Sequence, residues 1–147
     1  MELNLNHHGS KAKVLFLCSH NAARSQIAEG YLRAKYGKQF EAFSAGSHPS
    51  IISKYAIQVM AEIGIDISSQ KSKTLMEFYG QEMDIVVAMC DEAKAVCPVF
   101  PWAKGTVHKN FPDPHDIGNS DAERLNGFRK IRDAIITWID DYFGKLT

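Results

Sequence analysis

The chain has 147 residues, 45% hydrophobic and 23% charged, which is enough for one domain with its own apolar core. Its 17 basic residues balance its 17 acidic ones, so no cationic surplus points to nucleic acid as a partner. No apolar run approaches the roughly 20 residues that cross a bilayer, and the polar start MELNLNHHGSKAK lacks the apolar stretch of a signal peptide.

Taken in chain order, residues 1–12 read as a tail and 13–147 as the domain. Residues 13–17 (KVLFL) are apolar after the first, the pattern of a strand buried on both faces. Ile27, Ala28, Tyr31, Leu32 and Tyr36 recur at helical spacing within 24–36, and Gly37 supplies the stop. Residues 40–44 (FEAFS) form a second strand ending at the turn signal Ala45-Gly46, and 52–63 a second helix with Gly64 at its end. Residues 73–79 predict a short helix, 84–89 (DIVVAM) a central strand, and 91–96 a helical turn that Pro98 ends. Residues 106–109 give a weaker strand. Ser120 to Glu123 has the form of a capping box before a long helix burying Leu125, Phe128, Ile131, Ile135, Trp138, Ile139 and Tyr142. Strands alternating with helices imply right-handed crossovers and a parallel sheet of about four strands, one doubly wound α/β domain.

In such sheets ligands bind beyond the carboxyl ends of the strands. The stretch VLFLCSHNAARSQIAEG puts Cys18 at that end of the first strand and Arg24 at the start of the next helix. The loop of Cys18, Ser19, His20, Asn21, Ala22, Ala23, Arg24 and Ser25 can turn its backbone N–H groups inward beside the helix dipole, forming an anion cradle. A thiol there loses its proton more easily, and the Arg24 fork matches two oxygens of a tetrahedral oxyanion. Ser25 is placed to donate to the thiolate, and Asn21 suits a left-handed turn. Three cysteines, an odd number without a secretion signal, fit a reducing cytoplasm, where each is either core filler or chemically employed.

This loop, of the form C-x5-R-S with Asn21 at its fourth position, resembles that of the low-molecular-weight protein tyrosine phosphatases. That resemblance implies a four-stranded sheet of order 2-1-3-4 flanked by helices, with Cys18 and Cys90 emerging side by side. The pair Cys90 and Cys97 in MCDEAKAVCP, the continuation RSQIAEG, the GIDIS segment at 64–68 and Asp113-Pro114 narrow the resemblance to the thioredoxin-coupled arsenate reductases of that family. The narrower resemblance implies that Cys18 attacks arsenate, Arg24 and the loop amides hold it, and Asp113 protonates the departing oxygen. Cys90 then attacks Cys18 and releases arsenite. Cys97 attacks Cys90, leaving a disulfide for thioredoxin or glutaredoxin. No metal or organic cofactor is implied, and the expected state is a monomer.

If 90–97 is helical, its end Cα atoms lie about 10 Å apart at roughly 1.5 Å per residue, whereas a disulfide needs less than about 7 Å. The segment is therefore expected to rearrange on oxidation, with Asp91 as its N-cap. Certain reductases of the family bind potassium through Asn, Glu, Ser and Asp. Three of these match as Asn21, Glu29 and Ser44, while Lys73 stands for the fourth, its ammonium expected in the ion's place. Ala23 replaces a further loop cysteine that lies outside the relay.

Other readings stand beside this one. The same loop serves a phosphotyrosine phosphatase whose Cys90 and Cys97 protect Cys18 by reversible oxidation, or a non-catalytic oxyanion-binding or redox-sensing module. His20 could tune the thiolate or simply face solvent, and Asp113 could be a turn residue. His108 and His115 show no zinc-ligand spacing with the cysteines. Phe100 and Trp102 suit either a reductant surface or the core.

Overall fold

The computed structural model describes residues 11–89, 99–114 and 118–147. Its elements in chain order are β1 (Ala12–Cys18), α1 (Arg24–Tyr36), β2 (Phe40–Gly46), α2 (Lys54–Ala61), a 3-10 turn (Leu75–Phe78), β3 (Met83–Ala88), β4 (Ala103–His108) and α3 (Asp121–Gly144). The strands pair in the order β2-β1-β3-β4, all parallel, so every carboxyl end faces the same edge. This is the 2-1-3-4 sheet that the resemblance implies.

Strand pleat divides the core into two layers. Val14, Phe16 and Cys18 share one face of the sheet with apolar side chains from α1, α2 and α3. Leu15 and Leu17 point the other way, against Leu75, Phe78, Met83, Val86 and Phe100. Burial on both faces is what the unbroken apolar runs of β1 and β3 require.

Several elements depart from the periodicity. The helix expected over 52–63 starts at Lys54, because the Ser53 hydroxyl accepts from the N–H groups of Tyr55 and Ala56 and caps it there. The short helix expected over 73–79 is the 3-10 turn alone, capped by Thr74. β4 begins earlier than 106, since edge pairing of Met83 with Ala103 needs main-chain bonds rather than an apolar sequence. In α3 the fully buried residue of the last turn is Phe143, with Trp138 and Tyr142 stacked at the flank at 5.1 Å between ring centroids. Ser120 caps that helix by accepting from the N–H of Glu123. The Glu123 carboxylate reaches past it to the N–H of Asn119, one residue earlier than in the reciprocal box.

The GIDIS segment has a packing role. A methyl group at Gly30 of α1 would stand 2.5 Å from Cγ2 of Ile67, so this glycine lets the segment lie flush on the helix. That contact brings Gln70 and Lys71 beside the start of α1, where Gln26 bonds both.

Candidate active site

Cys18 ends β1, and its side chain, 3% exposed, turns into the loop that follows. Asn21 takes the left-handed conformation (φ 51°), which wraps the chain around the sulfur. The Asn21 N–H donates to Sγ at 3.2 Å, and the Ser25 hydroxyl lies 2.8 Å from the same sulfur. Asn21 Nδ2 in turn donates to Ser25 Oγ at 2.8 Å.

The loop carbonyls are pulled outward by neighbouring segments. His48 N–H donates to Ser19 O, Ser50 N–H and Ser72 Oγ to His20 O, and Ser53 N–H to Ala22 O. In a trans peptide the C=O and the following N–H point in opposite directions. Outward carbonyls therefore aim the N–H groups of His20, Asn21 and Ala23 inward, which for Asn21 is the observed bond to sulfur. Ala23, at the N-cap of the 13-residue α1, offers no side-chain acceptor, so the helix start keeps donors for an anion.

Cys18, His20, Ala22, Ala23 and Arg24 line a cavity of about 510 Å³, walled opposite by residues 50–54 and by Asp113. Arg24 donates through one guanidinium nitrogen to the carbonyl of Phe111 at 2.9 Å, and its other terminal nitrogen lies 3.9 Å from the Asp113 carboxylate. The arginine fork thus joins the cradle to the loop that carries the acid. Together these groups offer a buried thiol, inward N–H donors, a guanidinium and a carboxyl around one space, the parts for attack on a tetrahedral oxyanion.

Behind the loop, Glu29 is buried and shared. Ser44 Oγ donates to its Oε1 at 2.5 Å, the Arg33 guanidinium to its Oε2 at 2.6 Å, and the Lys73 ammonium stands 3.5 Å from Oε1. The Lys73 backbone N–H donates to Asn21 Oδ1 at 2.8 Å. Lysine nitrogen thus occupies the neighbourhood of Asn21, Glu29 and Ser44.

Of the residues singled out in the sequence, Cys18, Arg24, Ser25, Asn21 and Asp113 lie around one cavity or its lining loop. His20 is exposed at the cavity mouth. Cys90, Cys97, Asp91, Pro98 and His115 lie outside the described residues. Phe100 belongs to the core, whereas Trp102 is 38% exposed and packs on Tyr79 at 5.1 Å. Among the described residues no group of three His, Cys, Asp or Glu is set to hold a metal, and no helix is long and apolar enough to cross a membrane.

Two residues of the site went unnoticed in the sequence. Gly46, read only as a turn signal, pairs with Cys18 in the sheet, and a methyl group there would lie 2.6 Å from Ser19 O and 2.9 Å from Asn21 N. Gln26, read only as part of RSQIAEG, is fully buried against Asn21. No periodic signal marked it, because Gln26 lies in the first turn of α1 on the side of Glu29 and Arg33, opposite the apolar stripe.

With this geometry in place, likeness to known proteins is informative. The family described as low molecular weight phosphotyrosine protein phosphatase matches residues 13–147. An arsenate reductase of Halalkalibacterium halodurans is 40% identical over 126 residues, 86% of this chain and 91% of that protein. The solved low molecular weight protein tyrosine phosphatase from T. tengcongensis superposes with a TM-score of 0.72 at 29% identity, covering 92% of this chain and 99% of that one. A thioredoxin-dependent arsenate reductase from Corynebacterium glutamicum gives a TM-score of 0.67 at 27% identity, covering 92% of this chain and 61% of that one.

Proposed function

The chain belongs to the low molecular weight phosphotyrosine protein phosphatase family, and on that premise we propose that it is an arsenate reductase working by a three-thiol relay. The observation that carries the reading is the buried Cys18 sulfur held by an N–H and a hydroxyl in a cavity that also presents Arg24 and Asp113. The arsenate reductase named among its relatives supports the choice of substrate.

The Cys18 thiolate attacks arsenic(V), and a sulfur–arsenic bond forms as one oxygen leaves. Asp113 gives that oxygen its proton, while the loop amides and Arg24 hold the remaining oxygens. Cys90 thiolate then attacks the Cys18 sulfur. The sulfur–arsenic bond breaks with its electron pair moving to arsenic, which departs as arsenite, and a Cys18–Cys90 disulfide remains. Cys97 attacks Cys90, freeing Cys18 as thiolate and leaving a Cys90–Cys97 disulfide. A dithiol donor of the thioredoxin or glutaredoxin class supplies two electrons to reopen it, in keeping with the thioredoxin-dependent neighbour. No resident metal or organic cofactor enters these steps, and the thiol chemistry suits a reducing cytoplasm.

The test is arsenate-dependent NADPH oxidation coupled through thioredoxin and its reductase. Changing Cys18, Cys90 or Cys97 to Ser should each abolish turnover. A second reading, phosphotyrosine hydrolysis, is favoured by the phosphatase among the structural neighbours. It needs only Cys18, Arg24 and Asp113, so C90S and C97S would then remain fully active on a phosphate monoester, with no arsenate turnover in the wild type.

A further inference from the structure

Gln26 is fully buried in the first turn of α1, and the mechanism above gives it no task. Its Nε2, with two protons shared among three acceptors, lies 2.9 Å from the Asn21 backbone carbonyl, 2.8 Å from Asn21 Oδ1 and 2.9 Å from the Lys71 carbonyl. Its Oε1 accepts from Gln70 Nε2 at 2.8 Å.

These bonds have only one workable polarity. Two of the atoms facing Gln26 Nε2 are backbone carbonyls, so that atom must be the nitrogen. The Lys73 backbone N–H can only donate, so the Asn21 atom it meets is the oxygen. Asn21 Nδ2 then faces Ser25 and donates to it. Ser25 Oγ is thereby an acceptor from Asn21, and its single proton remains for a partner. A helical serine commonly gives that proton back to the carbonyl four residues earlier, which here is Asn21 O. Gln26 already engages that carbonyl, whereas Cys18 Sγ lies 2.8 Å from the hydroxyl.

We infer that Gln26 is a positioning residue for the nucleophile: by holding both oxygens of Asn21 it directs the Ser25 proton onto the Cys18 sulfur. Hydrogen bonds to a charged acceptor are stronger than neutral ones, so the Ser25 hydroxyl makes its strongest bond to the attacking thiolate. The inference rests on Cys18 being the nucleophile. Iodoacetamide alkylation of the wild-type protein, resolved at Cys18 by peptide mass spectrometry, tests that premise first and separately.

Two variants then test the inference. Gln26→Met keeps the volume and removes the donors. Gln26→Glu keeps the shape and sets a carboxylate against three oxygens, so that the hold on both Asn21 oxygens turns into repulsion. Cys18 alkylation at about pH 7 should slow several-fold in Q26M and about tenfold or more in Q26E. At about pH 10, where solvent ionises the thiol regardless, both should return to the wild-type rate. Wild-type alkylation by Q26M at neutral pH would overturn the inference. So would an equal deficit at both pH values, which is the signature of a displaced loop. Should neither variant fold, the wild-type protein still decides. Both Gln26 side-chain amide protons should exchange far more slowly than those of the exposed Gln58, and equal rates would count against the inference.

Discussion

Lys73 joins Glu29 to the active loop: its ammonium lies 3.5 Å from the buried carboxylate, and its backbone N–H holds the Asn21 side chain. A lysine ammonium thus stands beside Glu29, in keeping with the expectation from the sequence that it takes the place of a bound potassium ion. The protein should show the same activity and thermal midpoint in potassium and sodium salts at matched ionic strength. Lys73→Met should destabilise it by about 1–3 kcal/mol by leaving Glu29 short of a partner. A several-fold gain in activity on adding potassium to the wild type would refute the assignment.

Gly46 is close enough to the loop that even one methyl group intrudes on its backbone. G46A should cost about 1–3 kcal/mol in urea unfolding through overpacking. It should also weaken phosphate binding measured by calorimetry, because the clash falls on Asn21 N and Ser19 O. Unchanged phosphate affinity in folded G46A would show that the loop yields at that point.

Asp113, on the cavity wall 3.9 Å from the Arg24 guanidinium, carries the proposed proton transfer. D113N should lower kcat by about a hundredfold or more with little change in arsenate KM. Steady-state assays at saturating thioredoxin would read both. An unaltered kcat would reduce Asp113 to a turn residue before Pro114.

Acid sensitivity should pass through Glu62, at the end of α2. Hydrogen bonds from Arg129 on α3, which engages both carboxylate oxygens, and one more from Arg132 hold the Glu62 carboxyl below its ordinary value of 4.5. A carboxyl whose value is lower folded than unfolded binds fewer protons in the native state. Its contribution is complete above the unfolded value and disappears as pH falls through the folded one. The wild type should therefore lose more thermal stability than E62Q between about pH 6 and pH 3. Parallel decline of the two would exclude the pair as a source of acid lability.

The local patterns in the chain located what depends on local chemistry. α1 runs over 24–36 as its apolar spacing and Gly37 require, and the strand-loop-helix around Cys18 follows from an apolar run broken by small polar residues. Boundaries shifted where one side chain overrode the period, as Ser53 does at α2. The bonds of Gln26 to Lys71 and Gln70 were not legible, because they join residues 44 and 45 positions apart. The closeness of Gly46 to Ser19 depends on strand register, which no short motif encodes. Phe143 was passed over because α3 ends on a turn whose flank is aromatic too, and only packing selects which ring goes inside.

The tie between Arg24 and the Phe111 carbonyl also bears on how the pocket chooses its guest. The guanidinium is already occupied on one side by a neutral oxygen, so an entering molecule must displace or share that contact. An anion adds direct charge–charge attraction and a bidentate fit to the guanidinium, and so competes with this contact better than an uncharged ligand of the same size does. Arg24 should therefore favour anions as guests, with the backbone carbonyl beside it as their competitor.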